Sequence, residues 1–514
     1  MDMFGGLTKT SSRIAIAAAF GLTLGGYALS SGPALAADFG GDCCADLEER
    51  VAELEATTVR KGNKKVSVTL SGWVVKTMNY WDDGDIDHFV VGDKDADLSS
   101  RFAITGSATI APGWSGGYNL TVVSDGDIFG IGSNQEQDLT GGGVDIRTLY
   151  SYIYIKSDNL GTLNWGTLSP ASDNPAVLAD ISGTVIESNG VFFEGPGFFL
   201  RPKGAIAGGD AGLAGTAWGA FLFCQGLGAG IGVDCFGGPQ SAVRYDSPTW
   251  GGFRFETSYG ENQGLAGVLG DGFSAEDQDF WDIAVFYNND WGNFKVSAAY
   301  AYTWIETAAV SVFNPGPFGQ GNSDLHQVGA TVMHTPSGLG IYGMYQHEST
   351  GGRTTDFSNF NFNTLTFGTT GFPDTDAWYL KPFIKRTWNP AGATVFYGEY
   401  GQYNDMFGGL AGNSLCGSMG LPGTNIGAFC GGGGFFDFRT VTVTGSEVER
   451  WGLGVVQEID SAAMHVFARW QHQDISVNFI GTNTNVLTQQ TGTQRVGQGF
   501  DDWDLFQVGG VIFF

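Results

Sequence analysis

The sequence predicts an all-β protein: a transmembrane antiparallel β-barrel of 16 strands, with a short helical segment ahead of it. Three features carry this reading. Apolar and polar residues alternate with period two through segments of about ten residues, the pattern of strands with lipid on one face and water on the other. The connectors between those segments alternate between short and long. The chain is also poor in charge, at 15%, and rich in aromatics, at 14%, with 82 Gly; soluble domains carry about 25% charged residues.

The same composition excludes several function classes. With 25 Lys+Arg against 53 Asp+Glu and a net charge of −28, the chain is ill suited to neutralising phosphates, so no nucleic-acid partner is expected. The aromatic content is too high for a disordered chain. Past the N-terminus there is no apolar run of about 20 residues, which a helical membrane span requires.

Residues 1–36 read as a secretory signal peptide. Lys9 and Arg13 supply the positive start, Ile14 to Leu29 the apolar stretch, and Ala34-Leu35-Ala36 the small-x-small cleavage site, so the mature chain is expected to begin at Ala37. Residues 37–63 form a periplasmic segment. Within it Leu47, Val51 and Leu54 make a brief heptad seam flanked by Glu48, Glu49, Glu53 and Glu55. A self-associating coil and a solvated amphipathic helix both fit that pattern.

Residues 64–514 are the barrel. Val66, Val68, Leu70 and Val74 alternate with Ser67, Thr69, Ser71 and Trp73. Phe294, Val296, Ala298 and Tyr300 alternate with Lys295, Ser297 and Ala299. Seven short connectors, such as Ala111-Pro112-Gly113 and Asn389-Pro390-Ala391, interleave with eight long ones near 81–97, 125–143, 167–238, 261–278, 306–323, 349–373, 405–446 and 479–500. Fifteen connectors join sixteen strands. An even number puts both chain ends in the periplasm and the long loops outside. The apolar stretch Ala214–Phe223 is assigned to the third loop, because a strand there would break the parity. Trp165, Trp250, Trp291, Trp388, Trp451 and Trp503 lie near strand ends, at the headgroup level that amphipathic rings favour.

The cysteines fit an oxidising compartment. Cys43 and Cys44 are adjacent, while Cys224/Cys235 and Cys416/Cys430 are close pairs in Gly-rich stretches. Spacing does not fix connectivity; the economical reading is one short-loop disulfide in each stretch. There is no Cys-x-x-Cys and the six His are scattered, so no metal site is read. The cluster Asp82, Asp83, Asp85, Asp87, with Asp93, Asp95 and Asp97 behind it, invites a loop-bound Ca2+ that could bridge to lipopolysaccharide phosphates. The spacing does not match an EF-hand loop, and solvated loop charge is the other reading.

The final segment places Phe506, Val508, Ile512 and Phe514 on one face, and the sequence ends on Phe514. Here the chain resembles outer-membrane proteins generally, whose last strand ends in an aromatic residue read by the barrel-assembly machinery. It also resembles the general porins of rhizobia and related alphaproteobacteria. That resemblance rests on the block from Asp42-Cys43-Cys44-Ala45-Asp46-Leu47-Glu48-Glu49 through Lys64-Lys65-Val66, on Ser71-Gly72-Trp73, and on Trp503 to Phe514. It implies a passive, water-filled channel for small hydrophilic solutes and ions, located in the cell outer membrane and assembled as a homotrimer among lipid and lipopolysaccharide.

The resemblance also implies that the third outer loop folds inward. Its carboxylates Asp173, Asp180, Glu187 and Glu194 would then form an acidic rim, with ordinary solvated loop charge as the plainer reading. The wall opposite should be basic. Arg101, Arg147, Arg244, Arg254, Lys295, Lys381, Lys385, Arg450 and Arg469 are out of phase with the apolar residues and so face the lumen. A charge on the lipid face would cost about 2–4 kcal/mol near the midplane. Acidic rim against basic wall would make a transverse field, unless some of the cations pair with lumenal Glu256 or Glu458. No motif joins a nucleophile to a base, so no enzyme is expected. A substrate-specific porin and a surface adhesin or structural barrel are the alternatives.

Overall fold

A computed structural model describes residues 65–94, 98–124, 134–135, 146–191, 194–224, 234–261, 279–307, 321–351, 353–410, 412–432 and 436–514. The signal peptide, the heptad seam and Cys43-Cys44 lie outside the described residues.

The strands run β1 (Ser67–Asp82), β2 (Asp87–Gly92), β3 (Arg101–Ala111), β4 (Trp114–Ser124), β5 (Ile146–Ser157), β6 (Gly161–Leu168) and β7 (Gln240–Asp246). Then come β8 (Phe253–Glu261), β9 (Asp279–Trp291), β10 (Phe294–Thr307), β11 (Gly321–His334), β12 (Leu339–Thr350), β13 (Arg353–Asn361) and β14 (Thr366–Gly371). The last are β15 (Thr375–Asn389), β16 (Gly392–Asn404), β17 (Asp437–Ile459), β18 (Met464–Asn485), β19 (Gln490–Val496) and β20 (Trp503–Phe513). Sixteen of them close into one antiparallel barrel. Closure occurs at β1, which pairs with β20 from Trp73↔Phe513 to Asp82↔Asp504 and with β3 from Ser67↔Ser107 to Trp73↔Arg101. A closed sheet has no unpaired edge, which is the condition for crossing lipid with strands. β2 and β19 widen the outer ends of β1 and β18, and β13 with β14 forms a separate hairpin.

Period-two patterning sorts the side chains. Along β1, Trp73, Val75, Thr77, Asn79 and Trp81 are buried inward, while Leu70, Val74, Met78 and Tyr80 are exposed on the lipid face. Phe506, Val508 and Ile512 of β20 are likewise outward. Near the outer rim, Tyr side chains of the lipid face donate to carboxylates: Tyr80 to Asp87 at 2.9 Å, Tyr259 to Asp279 at 2.6 Å and Tyr400 to Glu449 at 2.6 Å. Trp250, Trp291, Trp388 and Trp451 are exposed, as a headgroup belt requires, and Trp165 is half-buried. Trp503 corrects the expectation. It is fully buried, because the odd-numbered residues of β20 face inward, and its ring lies 5.4 Å from Phe198.

The eight long connectors are called loops 1–8 below: 83–100, 125–145, 169–239, 262–278, 308–320, 351–374, 405–436 and 486–502. Loop 3 carries a single helical turn, α1 (Pro175–Leu178), and Ala214–Phe223 holds a short 3-10 turn at Trp218–Phe221 instead of a barrel strand. Loop 7 carries α2 (Cys416–Met419) and α3 (Asn425–Cys430).

Candidate functional site

Loop 3 runs along the inner face of the wall, and its chain order follows the strand order. Arg244 of β7 donates to the Ser169 carbonyl at 2.7 Å. Ser258 of β8 accepts from Ala171 N at 2.9 Å, and Asp282 of β9 accepts from Ser172 N and Oγ at 2.8 and 2.7 Å. Gln327 and Thr331 of β11 reach the Ser172 and Ala179 carbonyls at 2.5 and 2.7 Å, and Tyr342 of β12 reaches Ala176 at 2.8 Å. Lys381 of β15 meets Asp180 at 2.6 Å, Thr184 at 2.9 Å and the Ser188 carbonyl at 2.7 Å. Tyr379 bonds Ser188 at 2.7 Å, and Tyr403 of β16 donates to Gly190 O at 2.9 Å. Arg450 of β17 donates to the Asn189 carbonyl. On β18, His465 meets Glu187 at 2.9 Å, Arg469 meets Glu194 at 3.2 Å, and Gln473 donates to Glu194 O at 3.1 Å. Loop backbone groups that leave water need such partners, since an unmet buried polar group costs about 1–3 kcal/mol.

Two glycines make room for this close approach. A Cβ on Gly329 of β11 would sit 2.1 Å from the Ala176 carbonyl oxygen. Gly195 has φ +78°, and a Cβ there would lie 2.5 Å from the Trp503 ring. Beyond it Phe198 packs between Trp81, at 4.8 Å, and Trp503.

The loop then climbs to the outer mouth. There Arg201 grips Asp83 of loop 1 with two nitrogens, at 3.1 and 2.9 Å, and also reaches Gly209 O at 3.0 Å and Asp85 at 3.2 Å. Gln135 of loop 2 joins Asp83 at 3.0 Å and the Phe199 carbonyl at 2.8 Å. Burial alone would raise Asp83, but Arg201, two backbone amides and Gln135 together hold it below the ordinary carboxylate range. Loop 7 bonds the same arm through Gly215 N to Ser418 O at 2.6 Å and Ile206 N to Pro422 O at 3.0 Å. Disulfides close Cys224–Cys235 on the returning arm of loop 3 and Cys416–Cys430 in loop 7. Cys235 N donates to Gln346 of β12 at 3.1 Å, which ties the returning arm to the wall.

The sequence reading set an acidic rim and a basic wall on opposite sides of an opening. The structure instead brings two of the four carboxylates onto two of the nine wall cations, and a third onto His465. Asp180 sits on Lys381, Glu187 on His465, and Glu194 on both Arg469 and Lys94. Asp173 lies elsewhere, where its carboxylate takes the Asn174 amide and neighbours Asp234. Burial, with the Asp173 charge beside it, pushes Asp234 well above the ordinary carboxylate range. Other wall cations pair with wall acids: Arg244 with Asp246 at 2.8 Å, Arg254 with Glu256, Lys385 with Glu458 at 2.6 Å, and Arg450 with Glu399 at 3.8 Å. Arg101 lies over the Trp73 ring at 4.7 Å. Arg147 shares the inward face with Arg101, since both are in register with Val123, but it is exposed. Lys295 is half-buried, in register with inward-facing Met333.

Sequence reasoning does not find the neutral fasteners Ser258, Gln327, Tyr342, Tyr379 and Tyr403, the carboxylate of Asp282, or the gap at Gly329. Their one signal is an inward strand phase; their loop 3 partners are 87 to 213 residues away in the chain, from Ala171–Ser258 to Gly190–Tyr403. Of the loop 1 aspartates, Asp83 and Asp85 are taken by Arg201 and Asp87 by Tyr80, while Asp95 and Asp97 lie outside the described residues. Cys224, Cys235 and Glu348 bring metal-ligand atoms together, but both sulfurs are spent in the disulfide.

A closed sixteen-strand antiparallel barrel, with a lipid-facing apolar side and a long loop laid along its inner wall, defines an outer-membrane channel protein. The sequence matches the Gram-negative porin family model over residues 17–474, and the chain belongs to that family. It is an outer-membrane porin that forms a channel. The family and fold are those of a channel and not of an enzyme. Solved structures similar to it include the anion-selective porin from Comamonas acidovorans, at 15% identity over 87% of this chain and 100% of that one, with a TM-score of 0.48. OprB of Pseudomonas putida is 10% identical over 91% and 97%, with a TM-score of 0.48. OmpT of Vibrio cholerae, in its trimer form, is 14% identical over 88% and 100%, with a TM-score of 0.43. No curated protein matched the sequence.

Proposed function

We propose that this porin is a passive diffusion channel of the alphaproteobacterial general type, in which loop 3 sets the narrowest section. What supports the narrowing role is the series of fasteners from β7, β8, β9, β11, β12 and β15 to β18 that fixes loop 3. A loop held from so many strands keeps one shape, and the shape of the narrowest section decides which solutes pass. Asp180, Glu187 and Glu194 act as anchors of the loop in this reading, and Lys381, Arg450 and Arg469 as their wall partners. The signal peptide is removed after Ala36, the chain assembles as a homotrimer in lipopolysaccharide-bearing membrane, and Phe514 is read by the barrel-assembly machinery. The opening block at Asp42–Val66 and the terminal strand carry the family type.

Liposome swelling tests this directly. Neutral sugars of rising size should enter liposomes carrying the refolded protein at rates that fall steadily with size. Uptake of a single sugar only, or of none, would sink the general-diffusion reading.

A further inference from the structure

We propose that the channel prefers cations, so its natural solutes are inorganic cations and cationic or zwitterionic small molecules. This rests on the channel reading above and adds the sign of the charge it passes. Two independent observations carry it.

The first is the outer mouth. The eight long connectors contain Lys94, Arg201, Lys203, Arg353 and Arg495 as their only Lys and Arg, against several times as many Asp and Glu. Three of those five cations are already matched, Lys94 by Glu194, Arg201 by Asp83 at 2.9 Å and Lys203 by Asp501 at 3.9 Å. A rim of one sign raises the local concentration of counter-ions and steers them inward.

The second is the wall. Nine basic residues facing the lumen would oppose that field if they stood free. Instead Lys381, Arg469, Lys385, Arg244, Arg254 and Arg450 each lie within 4 Å of a carboxylate, at Asp180, Glu194, Glu458, Asp246, Glu256 and Glu399. An ion pair presents a dipole to a passing solute in place of a charge, and its field falls off faster with distance. Asp282 adds to the negative side, because the donors on its carboxylate are the neutral groups of Ser172 and Ser258. The wall therefore does not reverse the sign set at the mouth.

The test is the reversal potential of the refolded full chain in a neutral-lipid planar bilayer under a KCl gradient. K+ should be favoured over Cl− severalfold at about 0.1 M, where the Debye length is about 10 Å, and the preference should fade toward 1 M, where it is about 3 Å. Asp210→Asn combined with Asp502→Asn, two exposed mouth positions, should lower the preference and keep the conductance. Asp180→Asn, which leaves Lys381 without its carboxylate, should move the reversal potential toward anions. A conducting channel with Cl− preference, or a K+ preference that ignores both salt and the mouth substitutions, overturns the inference and leaves the channel reading standing. A folded barrel that does not conduct overturns the channel reading itself.

Discussion

Lys381 illustrates how charge is used in this lumen. It is fully buried, its ammonium meets the Asp180 carboxylate at 2.6 Å, and its other protons go to Thr184 and Ser188 O. Breaking a buried pair from one side costs about 3–5 kcal/mol, because the other charge is left uncompensated. Lys381→Met should therefore destabilise the loop 3 anchorage by roughly that much, seen as faster protease cleavage within residues 180–194 while heat-resistant barrel mobility on gels persists. The double variant Lys381→Met with Asp180→Leu should recover part of the loss, since it removes both charges. Gly329→Ala is a second residue-scale case. Its methyl would meet the Ala176 carbonyl at 2.1 Å, so the loop must shift, and the single-channel conductance should change although the substitution adds one carbon to a strand.

At the scale of the element, the outer arm of loop 3 is clasped to loops 1, 7 and 8. Asp83 is held below the ordinary carboxylate range, so the sign of its pH dependence is fixed. A depressed folded-state value contributes stability above the unfolded value and loses it only as pH falls through the lowered one. Protease protection of residues 199–213 should hold from neutral pH down through the ordinary carboxylate range and fade below it. Arg201→Gln should remove this protection at all pH values. The loop 7 disulfide closes a segment with a sequence separation of 14, and removing such a crosslink typically costs about 2–4 kcal/mol. Cys416→Ser with Cys430→Ser should expose loop 7 to protease first and then loosen the Gly215–Ser418 contact.

Element and residue differ in how far the sequence reveals them. Strand phase is local, so β1, β10 and β20, the seven short turns and the inward placement of Lys381 or Arg450 could be read along the chain. Both close Cys pairs are joined in the structure. The partners of loop 3 could not be read, because alternation says which way a side chain points and not what lies in front of it. Ala176 meets Tyr342, 166 residues away. Trp503 shows the converse: nearness to a strand end suggests a lipid position, while its odd phase on β20 points inward. Strand phase points Lys381 and Arg469 inward, but it does not reveal that they meet Asp180 and Glu194 of loop 3.

The whole molecule is a closed barrel with a loop pinned along its inner wall and a mouth rich in carboxylates. A trimer of such barrels should run as one heat-sensitive species on gels and collapse to monomer on boiling. The central claim is that each barrel is an open channel, and single-channel recording in planar bilayers tests it most directly. The refolded mature chain should give large, stable conductance steps, arriving in groups of three. Absent or very small steps from a protein shown by heat-modifiable gel mobility to be a folded barrel would contradict it.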